Sequence, residues 1–329
     1  MTSLFVAIAS QDQSQPPTLV AHLEAKGPIA WRIEQPKQKW VADALSKLNL
    51  STHKVEAICT ISENSLSAWR PDGTPHSDFE GFLRTKLAST KQTKFPIRFG
   101  HKNRVLVLNV PAGLPPLGEG TSASVNFDTG DFVNLYELSN SVNPDGYQHR
   151  YVPIAVAPES KFVSVPVQIH FSAHTSPVPA KVGSEFSVAE NRYKILETRQ
   201  FKDKDINIPG RTFPQSRYFS TIIVKKVSGT EDPFINGSID YPPISENNPN
   251  VNWALDERGN FVERKPNEMF PRSRNIYYGA TLQQVSSDPT NGTVTLVSNV
   301  NLKSLKAFRI YSSGTATAWL DNIPLDPKN

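Results

Sequence analysis

The chain has 329 residues, of which 38% are hydrophobic and 20% charged, a balance that excludes a disordered polar chain and supplies apolar surface for two or three packed domains. Its 27 prolines against 17 glycines argue for short strands joined by rigid turns and against long helices, because proline lacks a ladder donor and fixes φ. The net charge of +4 is dispersed, with 11 Lys+Arg against 9 Asp+Glu in residues 1–95 and 5 against 6 in residues 96–172. No basic arm or stripe of the kind that binds nucleic acid emerges. The single cysteine, Cys59, excludes an intrachain disulfide and a cysteine-based zinc site. No apolar run reaches the ~18 residues that span a bilayer, so no transmembrane segment is predicted.

In chain order, Leu4 to Ala9 is apolar and ends in an Ala-x-Ala pattern, and a polar stretch to Pro17 follows. Residues 1–17 therefore read as the remnant of an export signal or as a first strand and arm. Residues 18–95 read as a small α+β domain. Trp40, Val41, Ala44, Leu45 and Leu48 share one helical face over 37–48. Val55 to Ile61 reads as a strand, and Arg70-Pro71-Asp72-Gly73 as a turn. Ser77 with Glu80 matches a capping box opening a second helix over 78–88, whose stripe is Phe79, Phe82, Leu83 and Leu87.

Residues 96–172 read as a β-sandwich-like domain. Arg104 to Val110 predicts a buried strand, Phe127 to Phe132 a hairpin turn, and Phe162 to Phe171 a strand in which every second residue is apolar. Pro166 places that last strand at a sheet edge. After a linker over 172–179, residues 180–329 read as a further β-rich domain with strands at 186–188, 193–196, 218–227, 276–285, 293–300 and 305–311. The proline-rich loop 229–274 interrupts it, and loops of such length are often functional. The fold class is mainly β, with β-sandwich-like modules and a small N-terminal α+β segment.

Two phrases carry a resemblance. Lys181-Val182-Gly183-Ser184-Glu185-Phe186, with Asn191 to Leu196, resembles a hairpin of exported bacterial proteins. Phe308 to Tyr311, with Ala318 to Leu325, resembles the last strands of envelope proteins of the Verrucomicrobia and Planctomycetes. The resemblance implies export, to the periplasm, cell surface or medium, and β architecture. It implies no catalytic residue.

No glycine-rich phosphate loop and no Gly-x-Ser-x-Gly elbow occurs. His170 and His174 would lie ~13 Å apart on a strand, too far to share a metal, so no metal and no cofactor is predicted. Asp240, Glu246, Asp256 and Glu257, near Tyr241 and Trp253, are the carboxylates a glycan hydrolase would require. Trp253, Tyr277, Tyr278 and Trp319 could line a recognition surface or fill a core. Asn49, Asn236 and Asn291 begin Asn-x-Ser/Thr triplets.

The expected function is a non-enzymatic extracytoplasmic structural or binding protein of an envelope or surface assembly. Its partner would be another protein or further copies of itself, with a glycan as a further option. The alternatives are a virion shell protein and an extracytoplasmic glycan hydrolase. Tyr241, Trp253 and Phe261, in the loop 229–274, are the candidate binding anchors.

Overall fold

The computed structural model describes residues 19–61, 66–89, 98–114, 117, 120–127, 145–202, 218–229, 235–239, 252–256, 258–264, 280–288 and 290–328. The first elements are β1 (Val20–His22), β2 (Ala30–Ile33), α1 (Lys39–Ser46), a 3₁₀ turn (Leu50–Thr52), β3 (Lys54–Ile61), β4 (Leu66–Trp69) and α2 (Ser77–Ser89). Next come β5 (Lys102–Pro111), β6 (Thr121–Asn126), β7 (Tyr147–Val156), β8 (Phe162–His174), β9 (Val178–Pro179), β10 (Glu185–Val188) and β11 (Asn191–Lys202). The chain continues through β12 (Tyr218–Ser228), β13 (Ile235–Ile239), β14 (Asn252–Leu255), β15 (Phe261–Arg264), β16 (Thr281–Asp288), β17 (Thr293–Ser298) and β18 (Ala307–Pro324). The fold is mainly β, as composition and alternation lead one to expect. The described residues fall into two compact units, the first comprising 19–171 with 314–328 and the second 172–313.

The first unit is a layered sandwich. One sheet has the order β4-β3-β5-β7, and all its pairings are antiparallel. Alternate residues of β5 and β7 enter different cores. Leu106, Leu108, Val110, Val152, Ile154 and Val156 face Val163 and Val165 of β8 together with Leu320, Ile323 and Leu325. On the opposite face, Val105, Val107, Cys59 and Tyr151 are covered by Phe79 and Leu83 of α2. A register shift between Val55 and Ala57 resets the alternation of β3, so that Val55 and Ile58 both turn toward the inter-sheet core.

In the second sheet of this unit β8 lies beside β18, with β1 and β6 paired to β8 and β2 paired to β18. The odd residues of β8 face inward and are fully buried from Val163 to Phe171. Toward the end nearer Phe171 the inner face is covered by α1 instead of the other sheet, through Val41, Ala44 and Leu45. Gly314 permits that approach, since a Cβ there would stand 2.7 Å from the Trp40 ring. Asn322, at φ +60°, breaks the alternation of β18, so Leu320 and then Ile323 and Leu325 point into one core. Asparagine tolerates this left-handed backbone, and here its side chain accepts from Lys26 N–H and donates to Pro28 O.

Three expectations are corrected. The boundary expected at residue 95 lies inside one sheet, because β3 pairs with β5; segments 18–95 and 96–172 form a common core. Pro166 does not mark an edge, because β8 is paired on both sides. The capping box does not form. Ser77 is already helical, the Glu80 N–H donates to His76 O at 3.0 Å, and the Glu80 carboxylate accepts from Arg84 at 2.7 Å. The turn at Arg70–Gly73 does form, closed by Gly73 N–H to Arg70 O at 2.8 Å. Residues 128–132 of the hairpin expected at 127–132, and residues 1–17, lie outside the described residues.

The second unit is an antiparallel sheet in the order β18-β13-β16-β17-β12-β11-β10, with β9 added to the other side of β18. Phe186 of β10 stacks on Tyr193 at 5.4 Å and meets Phe308 of β18 edge-on at 6.2 Å. The two ends of the strand order thus come together around buried aromatic rings, and the sheet curls on itself. The hairpin β14–β15 stands apart as a two-stranded sheet.

Candidate functional site

Of the predicted anchors, Tyr241 lies outside the described residues. Trp253 stands in β14 opposite Glu263, and Phe261 in β15 opposite Leu255. Phe261 is half-buried and Leu255 buried. Asp256 builds the hairpin turn, accepting from the N–H groups of Arg258 and Asn260 at 2.8 Å each. Its carboxylate is therefore committed to the turn. Asp240, Glu246, Glu257, Tyr277 and Tyr278 lie outside the described residues. His170 and His174 both lie in β8, one half-buried and one exposed. Trp319 is buried, donating to Glu34 Oε1 at 2.6 Å beneath the Arg32 guanidinium.

One Ser/His/Asp grouping, brought together from distant segments, is not legible in the sequence. His22 Nε2 lies 3.3 Å from Ser164 Oγ, and the Ser164 hydroxyl helps hold the Asp321 carboxyl down. A hydrolytic triad requires the imidazole between serine and carboxylate, so that it can take the hydroxyl proton. Here the serine stands in the middle. Asp321 also accepts two bonds from Arg32, at 2.8 and 3.3 Å. Desolvation pushes its carboxyl up, and the hydrogen bonds from Arg32 and Ser164 more than offset that, leaving it below its ordinary value. The group fastens β2 and β8 to β18.

Cys59 is fully buried. Burial, with the nearby Glu80 carboxylate, pushes its thiol up to about 12, so it is not poised as a nucleophile.

Among the described residues of the first unit there is a cleft of about 180 Å³. It opens where β5 ends, where β6 runs toward Phe127 and where β7 begins. His53 forms one wall. Its position follows from the 3₁₀ turn, in which Asn49 Oδ1 accepts from the Ser51 N–H at 3.1 Å and the His53 N–H donates to Leu50 O at 3.0 Å. Trp31 donates to His53 O at 3.4 Å and meets its ring edge-on at 6.3 Å, while Phe127 approaches Trp31 and His53 to 6.4 and 6.5 Å. Burial pushes the His53 imidazole down to about 4, so it is neutral at pH 7.

The opposite wall is β7. Its core-facing positions read Val156, Ile154, Val152, Arg150, Gln148; three apolar residues fill the sandwich, and the last two bring a guanidinium and a carboxamide to its mouth. Both line the cleft. Aromatic and aliphatic walls with a few convergent polar groups are the composition of ligand pockets. Neither β7 nor the face it turns inward is legible locally in the sequence, so Arg150 is not singled out there.

Among the described residues no group of three or more His, Cys, Asp or Glu side chains could hold a metal ion, and no helix is long and apolar enough to cross a membrane. Comparison of the chain with protein-family models, with curated proteins and with solved structures finds no match.

Proposed function

We propose that the chain is a non-enzymatic structural or binding component of an exported envelope or surface assembly, acting by association with a protein partner or with further copies of itself. The observation that carries this reading is the state of the outermost strands in the first unit. Among the described residues β1 pairs only with β8 and β2 only with β18, each with one backbone edge left open. Their side chains include Val20 at 43% and Ile33 at 50% exposure. Open strand edges bearing exposed apolar residues template the addition of another strand. Export rests on the resemblance of Lys181 to Phe186 and Asn191 to Leu196, in the β10–β11 hairpin, to exported bacterial proteins, and of Phe308 to Tyr311 and Ala318 to Leu325 to envelope proteins.

Sedimentation velocity on the purified chain over a range of concentrations tests the reading, with Val20→Lys and Ile33→Lys placing a charge on each edge. Concentration-dependent association that the lysine variants suppress supports it. Large closed particles of uniform size would favour a virion shell. A wild type that stays monomeric and takes up no strand peptide would overturn association through these edges.

A further inference from the structure

We propose that the cleft between His53, Phe127 and Arg150 is a binding site for a carboxylate carried on a single apolar or aromatic group. This inference is independent of the association role argued above.

The two ends of the inter-sheet core supply the argument. Arg104 and Arg150 stand on the same face of one sheet, the first opposite Ile154 and the second opposite Leu108. Both bring a guanidinium to the margin of an apolar layer, where a cation is costly without a counter-charge. At one margin the fold supplies it, since Arg104 donates to Asp326 Oδ1 at 2.8 Å and to Leu325 O at 2.6 Å. At the other margin Arg150 faces the cleft and, among the described residues, has no carboxylate within ion-pairing distance. The first arginine holds the fold together; the second lines the cleft with no counter-charge among the described residues.

The cleft walls specify the rest of the ligand. A guanidinium fork matches a carboxylate through two parallel hydrogen bonds, and the Gln148 amide adds a further donor beside it. Val110, Leu114 and Phe127 offer the apolar surface. The neutral His53 ring closes the wall without a competing charge. The volume, about 180 Å³, is below the ~300 Å³ at which drug-sized sites begin, so it suits one residue-sized group. Two sources present this chemistry, a free small carboxylate and the C-terminal residue of a peptide.

Isothermal titration calorimetry on the full chain with N-acetyl-phenylalanine, its amide, and N-acetyl-Ala-Ala-Phe with a free carboxyl tests the proposal. Arg150→Met keeps the aliphatic stem that packs in the wall, and Arg150→Lys keeps the charge without the fork. Lys181→Ala, an exposed site in the second unit, controls for net charge. The acid should bind, with the amide weaker by about tenfold or more. Binding should be lost in Arg150→Met, restored in part by Arg150→Lys and unchanged in Lys181→Ala. Tighter binding of the tripeptide identifies a chain end as the source, and equal binding a free carboxylate. Equal affinity for acid and amide, wild-type binding by a folded Arg150→Met, or no binding of any probe would overturn the proposal.

Discussion

Arg104 and Asp326, 222 positions apart in the chain, are joined by a 2.8 Å hydrogen bond between guanidinium and carboxylate. Lys102 donates to the other carboxylate oxygen at 2.7 Å, and the Arg104 guanidinium also lies 5.5 Å from the Trp69 ring. Around this bond the C-terminal residues are fastened along their backbone, through Leu325 N–H to Lys161 O at 2.8 Å and Lys328 N–H to Gly73 O at 2.9 Å. The tail seals the end of the inter-sheet core, and Leu325 is fully buried there.

Asp326→Ala should destabilise the chain by about 1–2 kcal/mol, because Lys102 and Arg104 keep their charges while the carboxylate, itself partly exposed, is lost. Urea unfolding measures this. Desolvation pushes the Asp326 carboxyl up, but the bonds from Lys102 and Arg104 outweigh it and hold the group below its ordinary value. A carboxyl depressed in the folded state contributes fully above its unfolded value of about 3.9 and is lost as pH falls through the folded value. The wild type should therefore lose its advantage over Asp326→Ala in acid.

His53 predicts a second acid sensitivity at higher pH. Its folded value of about 4 lies below the unfolded value of about 6.5, so the unfolded chain binds the proton more readily. Stability is whole above about pH 6.5 and falls as pH drops toward 4, by about 1–3 kcal/mol in all. In His53→Gln that component should vanish, and the difference between the two unfolding curves across this window isolates it.

Ala189 takes φ +52° in the two-residue loop between the paired residues Val188 and Asn191. A left-handed backbone costs an L-residue about 1–2 kcal/mol, of which glycine gives back about 0.5–1 through its looser unfolded chain. Ala189→Gly should stabilise the protein by about 0.5–1 kcal/mol, read as a rise in thermal midpoint.

Gly259 joins the β14–β15 hairpin to the segment after β17, its carbonyl accepting from the Asn301 N–H at 2.7 Å. A Cβ there would stand 2.6 Å from Asn299 O, and the residue has φ +75°. Gly259→Ala should cost about 1–3 kcal/mol and release the hairpin locally. Hydrogen exchange should show the Asn301 amide losing protection while Val165 and Ile169 keep theirs.

What the sequence by itself determined is what periodicity can carry. Apolar spacing marked both helices, α1 within 37–48 and α2 within one residue of 78–88. The alternation at Val163, Val165, Val167, Ile169 and Phe171 defined the buried face of β8. These features depend on each residue's own neighbours, because one side of a helix or strand must leave water wherever it packs. The partner is a different matter. That β3 pairs with β5, that β8 has neighbours on both sides despite Pro166, and that residues 314–328 return to the first unit are choices among distant segments of similar polarity. The cleft belongs to the same class. Arg150 and Gln148 look like ordinary strand polars until register aligns them with Leu108 and Val110, and only then do they stand at the mouth of a core. Local periodicity states which face must be buried, whereas the segments that bury it, and the charges brought to its margin, are decided by long-range pairing.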